Sequence, residues 1–152
     1  MDYFAELDAL YATLPTVECK KKCQAYCGAI LLTRIELARL ETRRGYIQIL
    51  PPGEIAKRTY LPPPKIVMEN FTGMHPDRQG RCQFLNTVLG NCMAYRFRPS
   101  VCRLWGMMDN EFMRCPHGCV PTRWVTDVEA VALDKAIIEV QKEWEKTKWQ
   151  KT

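Results

Sequence analysis

Apolar residues recur at helical spacing at both ends of the chain. Phe4, Leu7, Leu10, Tyr11 and Leu14 step by three and four, which predicts an amphipathic helix over residues 2–14, and Pro15 ends the pattern. Toward the other end, Ala130, Leu133, Ile137, Val140 and Trp144 form one stripe on a helix over about 126–149, opened by Thr126-x-x-Glu129. Two heptads are too few for a coiled coil, so the stripe is expected to pack on the core rather than form a dimer seam. Between these ends the signals are shorter. Thr33-x-x-Glu36 reads as a capping box for a helix through Arg44, closed by Gly45. Ala29-Ile30-Leu31-Leu32 reads as a buried turn or strand. Cys82–Leu85 and Cys92–Tyr95 read as two short strands joined through Gly90-Asn91, and Pro99 opens a short helix that Gly106 ends. Residues 51–64, with Pro51, Pro52, Pro62, Pro63 and Pro64, read as an extended loop that covers the core or, in the alternative, binds a protein partner. The prediction is a mainly α chain with at most one small β-hairpin, folded as a single domain over 1–152, with a core region of about 17–121 and no internal repeat.

Composition changes this picture in one respect. With 152 residues, 47% hydrophobic and 26% charged, the chain has ordinary globular proportions. Its longest stretch without an acidic or basic residue, Cys82–Tyr95, is far too short to span a membrane. The acidic start, Met1-Asp2-Tyr3-Phe4-Ala5-Glu6, does not read as a signal peptide, so a cytoplasmic location with no membrane partner is expected. The outlier is cysteine, eight residues beside two histidines. In a reducing compartment clustered thiols are metal ligands or redox groups more often than disulfides.

The thiols fall into three groups: Cys19-x3-Cys23-x3-Cys27, Cys82-x9-Cys92-x9-Cys102 and Cys115-x3-Cys119. A helix over 17–27, stopped by Gly28, would place the first three on one face, with Lys20, Lys21 and Lys22 off it. Soft thiolates suit Zn(II) or an iron–sulfur cluster, and this spacing does not separate the two. Eight thiols fill two four-ligand sites, or one site with thiols to spare. His75 and His117 are candidate replacements for a thiol, His117 being the better placed.

The run Arg81-Cys82-Gln83-Phe84-Leu85, followed by Asn91-Cys92-Met93-Ala94-Tyr95-Arg96-Phe97-Arg98-Pro99-Ser100-Val101-Cys102-Arg103-Leu104-Trp105, resembles the YkgJ-type cysteine-cluster proteins. The likeness spans roughly residues 19–119, including the upstream triplet and the helix that bears Glu36. Cys92, Tyr95, Arg98, Pro99, Cys102 and Arg103 all fall at the family's spacing. The triplet departs from it, with x3 and x3 where the family has C-x-x-C-x-x-C-C. The resemblance implies zinc or iron chelation, with all eight cysteines as candidate ligands. Arg98 and Arg103 would then donate to thiolate sulfurs or to carbonyls around the site, or make ordinary surface salt bridges. Tyr95 and Trp105 are expected as core aromatics that exclude water.

The formal charge is +5, and residues 19–123 hold 17 Lys or Arg against 7 Asp or Glu. That surplus invites a nucleic-acid reading. Eight thiolates with two Zn(II) ions would bring the total near +1, so much of it is spoken for by the sites themselves. No finger, RNP motif or dense basic run supports nucleic acid. The expected function is therefore metal binding through cysteine thiolates, in a structural, redox or metal-handling role. The alternative is a zinc-stabilised adaptor for nucleic acid or protein. There is no H-E-x-x-H, phosphate loop or nucleophile–base pair, so enzyme activity is not expected of the isolated chain unless it is an iron–sulfur redox protein.

Overall fold

The computed structural model describes residues 1–51, 54 and 68–149. Helix α1 spans Tyr3–Tyr11 and starts where Asp2 accepts from the N–H groups of Phe4 and Ala5, both at 3.1 Å. It ends three residues short of the expected Leu14. Thr13 and Leu14 bond back to Leu10 and Tyr11, so the last turn tightens as it approaches Pro15. Strand β1, Ile30–Thr33, runs directly into α2, Arg34–Arg44. The capping box is complete, with Thr33 and Glu36 satisfying each other's backbone N–H groups, and Gly45 closes the helix at φ 78°.

Two elements were absent from the sequence reading. Strand β2 is Ile49–Leu50 and β3 is Phe71–Met74, and with β1 they form an antiparallel sheet in the order β1-β3-β2. Ile30 pairs with Met74 and Thr33 with Phe71, while Ile49 also faces Met74. All four residues of β3 are buried, so the strand shows no alternation by which it could be recognised. The proline-rich segment expected over 51–64 lies outside the described residues except at Pro51 and Glu54.

The hairpin is present and shifted. Strands β4, Leu85–Asn86, and β5, Asn91–Cys92, are two residues each and meet through a turn in which Gly90 takes φ 69°. Helix α3 is Ser100–Leu104, and Gly106 follows at φ 80°. Helix α4 is Asp127–Trp149, opened by the expected box: Thr126 N donates to Glu129 at 2.8 Å, and Glu129 N donates to Thr126 Oγ1 at 3.2 Å. With a three-stranded sheet, a hairpin and, among the described residues, four α-helices, the fold is mixed α/β rather than mainly α. No helix among the described residues is long and apolar enough to cross a membrane.

Two apolar clusters hold these elements. Ala130, Leu133 and Ile137 of α4 are buried against Leu7, Tyr11, Ile35 and the Met107–Met108 segment, with Val140 and Trp144 at the edge, so the predicted stripe faces the core. Leu32, Leu40, Ile47, Met74, Phe84 and Ala94 form the second cluster, between α2, the sheet and the hairpin. The polar contacts between layers are specific. Buried Gln141 accepts from Ile35 N and donates to Asn70 O, both at 3.2 Å. Glu36, 2% exposed, accepts from Tyr11 Oη at 2.5 Å, Ser100 N at 2.6 Å, and Thr33 N and Oγ1 at 2.9 Å each. One carboxylate thereby ties α1, the start of α2 and the start of α3 together.

Candidate metal centres

Residues 17–27 are not helical. Lys21 sits at φ 55°, which a right-handed helix does not admit, and only Cys23–Tyr26 forms a 3₁₀ turn. The three thiols therefore do not share a face. The segment before Cys19 instead pairs with the far end of the cysteine region. Val17 bridges to Pro121, and Thr122 N donates to Thr16 O at 2.9 Å. That lacing sets Cys19 beside the Cys115–Cys119 turn, where Lys20 N donates to the Cys119 sulfur at 3.4 Å and Lys20 Nζ to His117 O at 2.9 Å. Gly118, at φ 75°, gives the turn its reversal.

The strongest charge interactions among the thiols run within two foursomes. Burial pushes Cys23 up to about 11, the Trp105 indole pulls it back, and the charges of Cys115 and Cys19 raise it further. Cys119 is also raised: the Lys20 N–H lowers it, but burial and the neighbouring Cys115 and Cys19 outweigh that bond. Cys115 goes the other way. Burial raises it, yet the N–H groups of Cys119 and His117 and the thiols of Cys119 and Cys23 together hold it below its ordinary range. The first foursome is thus Cys19, Cys23, Cys115 and Cys119.

The second is Cys27, Cys82, Cys92 and Cys102. Cys82 N donates to Cys27 O at 2.8 Å and fixes the two segments side by side. Burial raises all four thiols, Cys82 to about 11 and Cys102 most of all. Cys27, Cys82 and Cys102 are raised further by their neighbours' charges. Arg98 opposes this at Cys27, Cys92 and Cys102. Each foursome draws thiols from segments far apart in the chain, and the triplet is divided between them.

Backbone N–H groups point at the sulfurs. Lys21 N donates to Cys19 at 3.3 Å and Phe84 N to Cys82 at 3.4 Å, each from two residues on. A neutral thiol is a weak acceptor, so repeated N–H donation suits thiolate sulfur. All eight cysteines are free. Among the described residues, no group of three or more Cys, His, Asp or Glu side chains is already closed around a point that could hold an ion. The thiols are gathered as neighbours around a cavity of about 390 Å³, walled by six of them, by Tyr26 and Trp105, and by Arg96, Arg98 and Arg103. Four soft donors in each group, with N–H groups aimed at them, match what Zn(II) or an iron–sulfur cluster requires.

The other expected residues divide. Arg98 donates to Tyr95 O at 3.0 Å, lies 3.8 Å from the Tyr95 ring, and acts on the second foursome through its charge. Arg103 bonds carbonyls: Arg98 O at 2.8 Å and Arg96 O at 2.7 Å, with its guanidinium 4.2 Å from the Tyr11 ring. It braces the loop that places Arg98. Tyr95 is exposed rather than buried as expected, because it covers Arg98 from outside. Trp105 does pack against the first cluster. His117 contributes its backbone, and His75 Nδ1 lies 2.5 Å from Pro76 O. The residue that sequence reasoning missed is Glu36. Its only sequence signal was the capping box, which does not foretell the bonds to Tyr11 and Ser100.

Thiol-rich, with free sulfurs gathered from three parts of a small mixed fold, the chain has the features of a metal-chelating domain. Residues 18–120 match the family model "CxxCxxCC: Putative zinc- or iron-chelating domain", and the chain belongs to that family. No curated protein and no solved structure matches it. Membership supports metal binding, by zinc or by iron.

Proposed function

We propose that the chain is a metal-binding module with two centres, Cys19, Cys23, Cys115 and Cys119 in one and Cys27, Cys82, Cys92 and Cys102 in the other. The observation that carries this reading is the set of long-range contacts that bring eight free thiols together, lacing the Cys19 segment to the Cys115–Cys119 turn and Cys82 to Cys27 and the Cys92 hairpin. Bound there, zinc would contribute folding free energy, and an iron–sulfur cluster would add electron transfer. The chain's own part is to gather the sulfurs, supply N–H groups to them and, at the second centre, set the Arg98 charge beside them. The role is structural, redox or in metal handling.

The test is metal analysis and visible absorption on protein purified without oxygen. A colourless sample with about two zinc ions per chain, or a brown one with iron and sulfide, supports two centres. Cys102→Ser is expected to remove one centre and leave the other. Unchanged metal content in that variant takes Cys102 out of the ligand set, and a reduced, folded protein that binds neither metal overturns the proposal.

A further inference from the structure

Helix α3 has five residues, too few to hold a helical form or a fixed position by itself. The N–H groups of its first turn need acceptors, and Pro99, which precedes it, has no side-chain oxygen to cap them. The acceptor comes from another element. Ser100 N, at the first position of α3, donates to Glu36 Oε1 at 2.6 Å, and Ser100 Oγ donates to Asp134 Oδ1 at 3.3 Å. Glu36 Oε2 accepts from Thr33 N at the start of α2, at 2.9 Å. One buried carboxylate therefore caps two helices at once, one with each oxygen. The two helices lead to two thiols of the same foursome. Helix α3 carries Cys102, two residues past Ser100. Helix α2 follows without a break from β1, whose first residue, Ile30, is three past Cys27. The other side chain that donates to Oε1, Tyr11, lies on α1, which bears no cysteine.

We propose that Glu36 is a positioning residue for the second centre: by capping α3 from the start of α2, it fixes the segment that brings Cys102 against the segment that brings Cys27. The inference rests on the two-centre reading. Glu36 touches no sulfur and acts through Ser100, so its effect on metal is confined to the centre that α3 serves. In Glu36→Gln the amide has one oxygen for two helix starts. Whichever way it turns, one helix loses its cap and the tie between α2 and α3 loosens.

The experiment titrates the full chain with cadmium-113, whose resonances report each centre separately, and Cys102→Ser marks the signal that belongs to the second. Affinities are read by competition with a chelator. Glu36→Gln is expected to weaken the second centre by roughly 10-fold and to shift its resonance, leaving the resonance and affinity of the first unchanged. Leu7→Ala is the comparison. It opens a cavity in the buried face of α1, destabilises the fold while keeping every bond of Glu36, and should leave both centres as they are. Glu36→Asp keeps the charge and withdraws it by one methylene. It should show the same selectivity in smaller degree, and it decides the matter if Glu36→Gln does not fold. A second centre that binds as tightly in the Glu36 variant as in wild type overturns the inference, and so does a loss shared by both centres or matched by Leu7→Ala. The two wild-type resonances then leave the two-centre reading intact. A wild-type protein that takes up no cadmium at its thiols overturns both.

Discussion

Replacing Glu36 by glutamine keeps the size and shape of a buried side chain and removes one acceptor oxygen. Its two oxygens face four donors, Tyr11 Oη and Ser100 N on one, Thr33 N and Oγ1 on the other. The new amide presents an NH₂ group to one of these pairs. The two hydroxyls can turn away; the backbone N–H of Ser100 or of Thr33 cannot. One buried donor is therefore stranded at about 1–3 kcal/mol, and the surviving bonds lose their charge assistance, for a total near 3 kcal/mol. In a chain of this length that corresponds to a Tm lower by roughly 6–12 °C. The assay is thermal unfolding followed by far-ultraviolet circular dichroism, with metal present at equal loading in both proteins. A second readout separates this account from generic damage. Burial raises Asp134 to about 6, the Glu36 charge adds to that effect, and the Ser100 hydroxyl partly offsets it. Removing the Glu36 charge should move the Asp134 titration to lower pH. A Tm within about 2 °C of wild type, with the Asp134 titration unmoved, would refute the view that this carboxylate is the junction of the three helices.

The remaining expectations are these. Asp134, raised from an ordinary 3.8 to about 6, favours the folded state below the ordinary value and loses that contribution as pH rises through about 6. Asp134→Asn should thus flatten the stability profile between pH 4 and 6.5 and stabilise the protein near neutrality by up to about 2–3 kcal/mol; an unchanged profile by denaturant titration would contradict this. Gly118→Ala, at φ 75°, should cost about 1–2 kcal/mol and weaken metal at the first centre, because the strained turn presents both Cys115 and Cys119; competition with a chelator reads the second effect. Equal metal affinity in that variant would mean the turn is not needed to set the two sulfurs.

Local chemistry was legible where one segment decides its own form. Pro15 after α1, the two capping boxes, and Gly45, Gly90 and Gly106 all act over a few residues, and the helices stand close to where those signals put them. The central sheet was not legible, because β3 is buried on both faces and only its pairing with β1 and β2, both earlier in the chain, makes Phe71–Met74 a strand. The cysteines failed in an instructive way. Spacing of four suggested one helical stripe, but Lys21 takes a left-handed conformation and the stripe never forms. The membership of each foursome depends instead on the Val17–Pro121 bridge and on the Cys82–Cys27 bond, contacts between residues 55 to 104 positions apart. Arg98 and Arg103, expected to serve either thiolates or carbonyls, both donate to carbonyls, and Arg98 also sets its charge near Cys27, Cys92 and Cys102.

The proposed division of the thiols also sets an order of synthesis. Cys27, Cys82, Cys92 and Cys102 have all been made 17 residues before Cys119 completes the other four. A growing chain emerging from the ribosome therefore offers one finished nest of sulfur while Cys19 and Cys23 still wait for their partners. Translation arrested between those points would leave a half-equipped protein with reactive side chains unaccompanied.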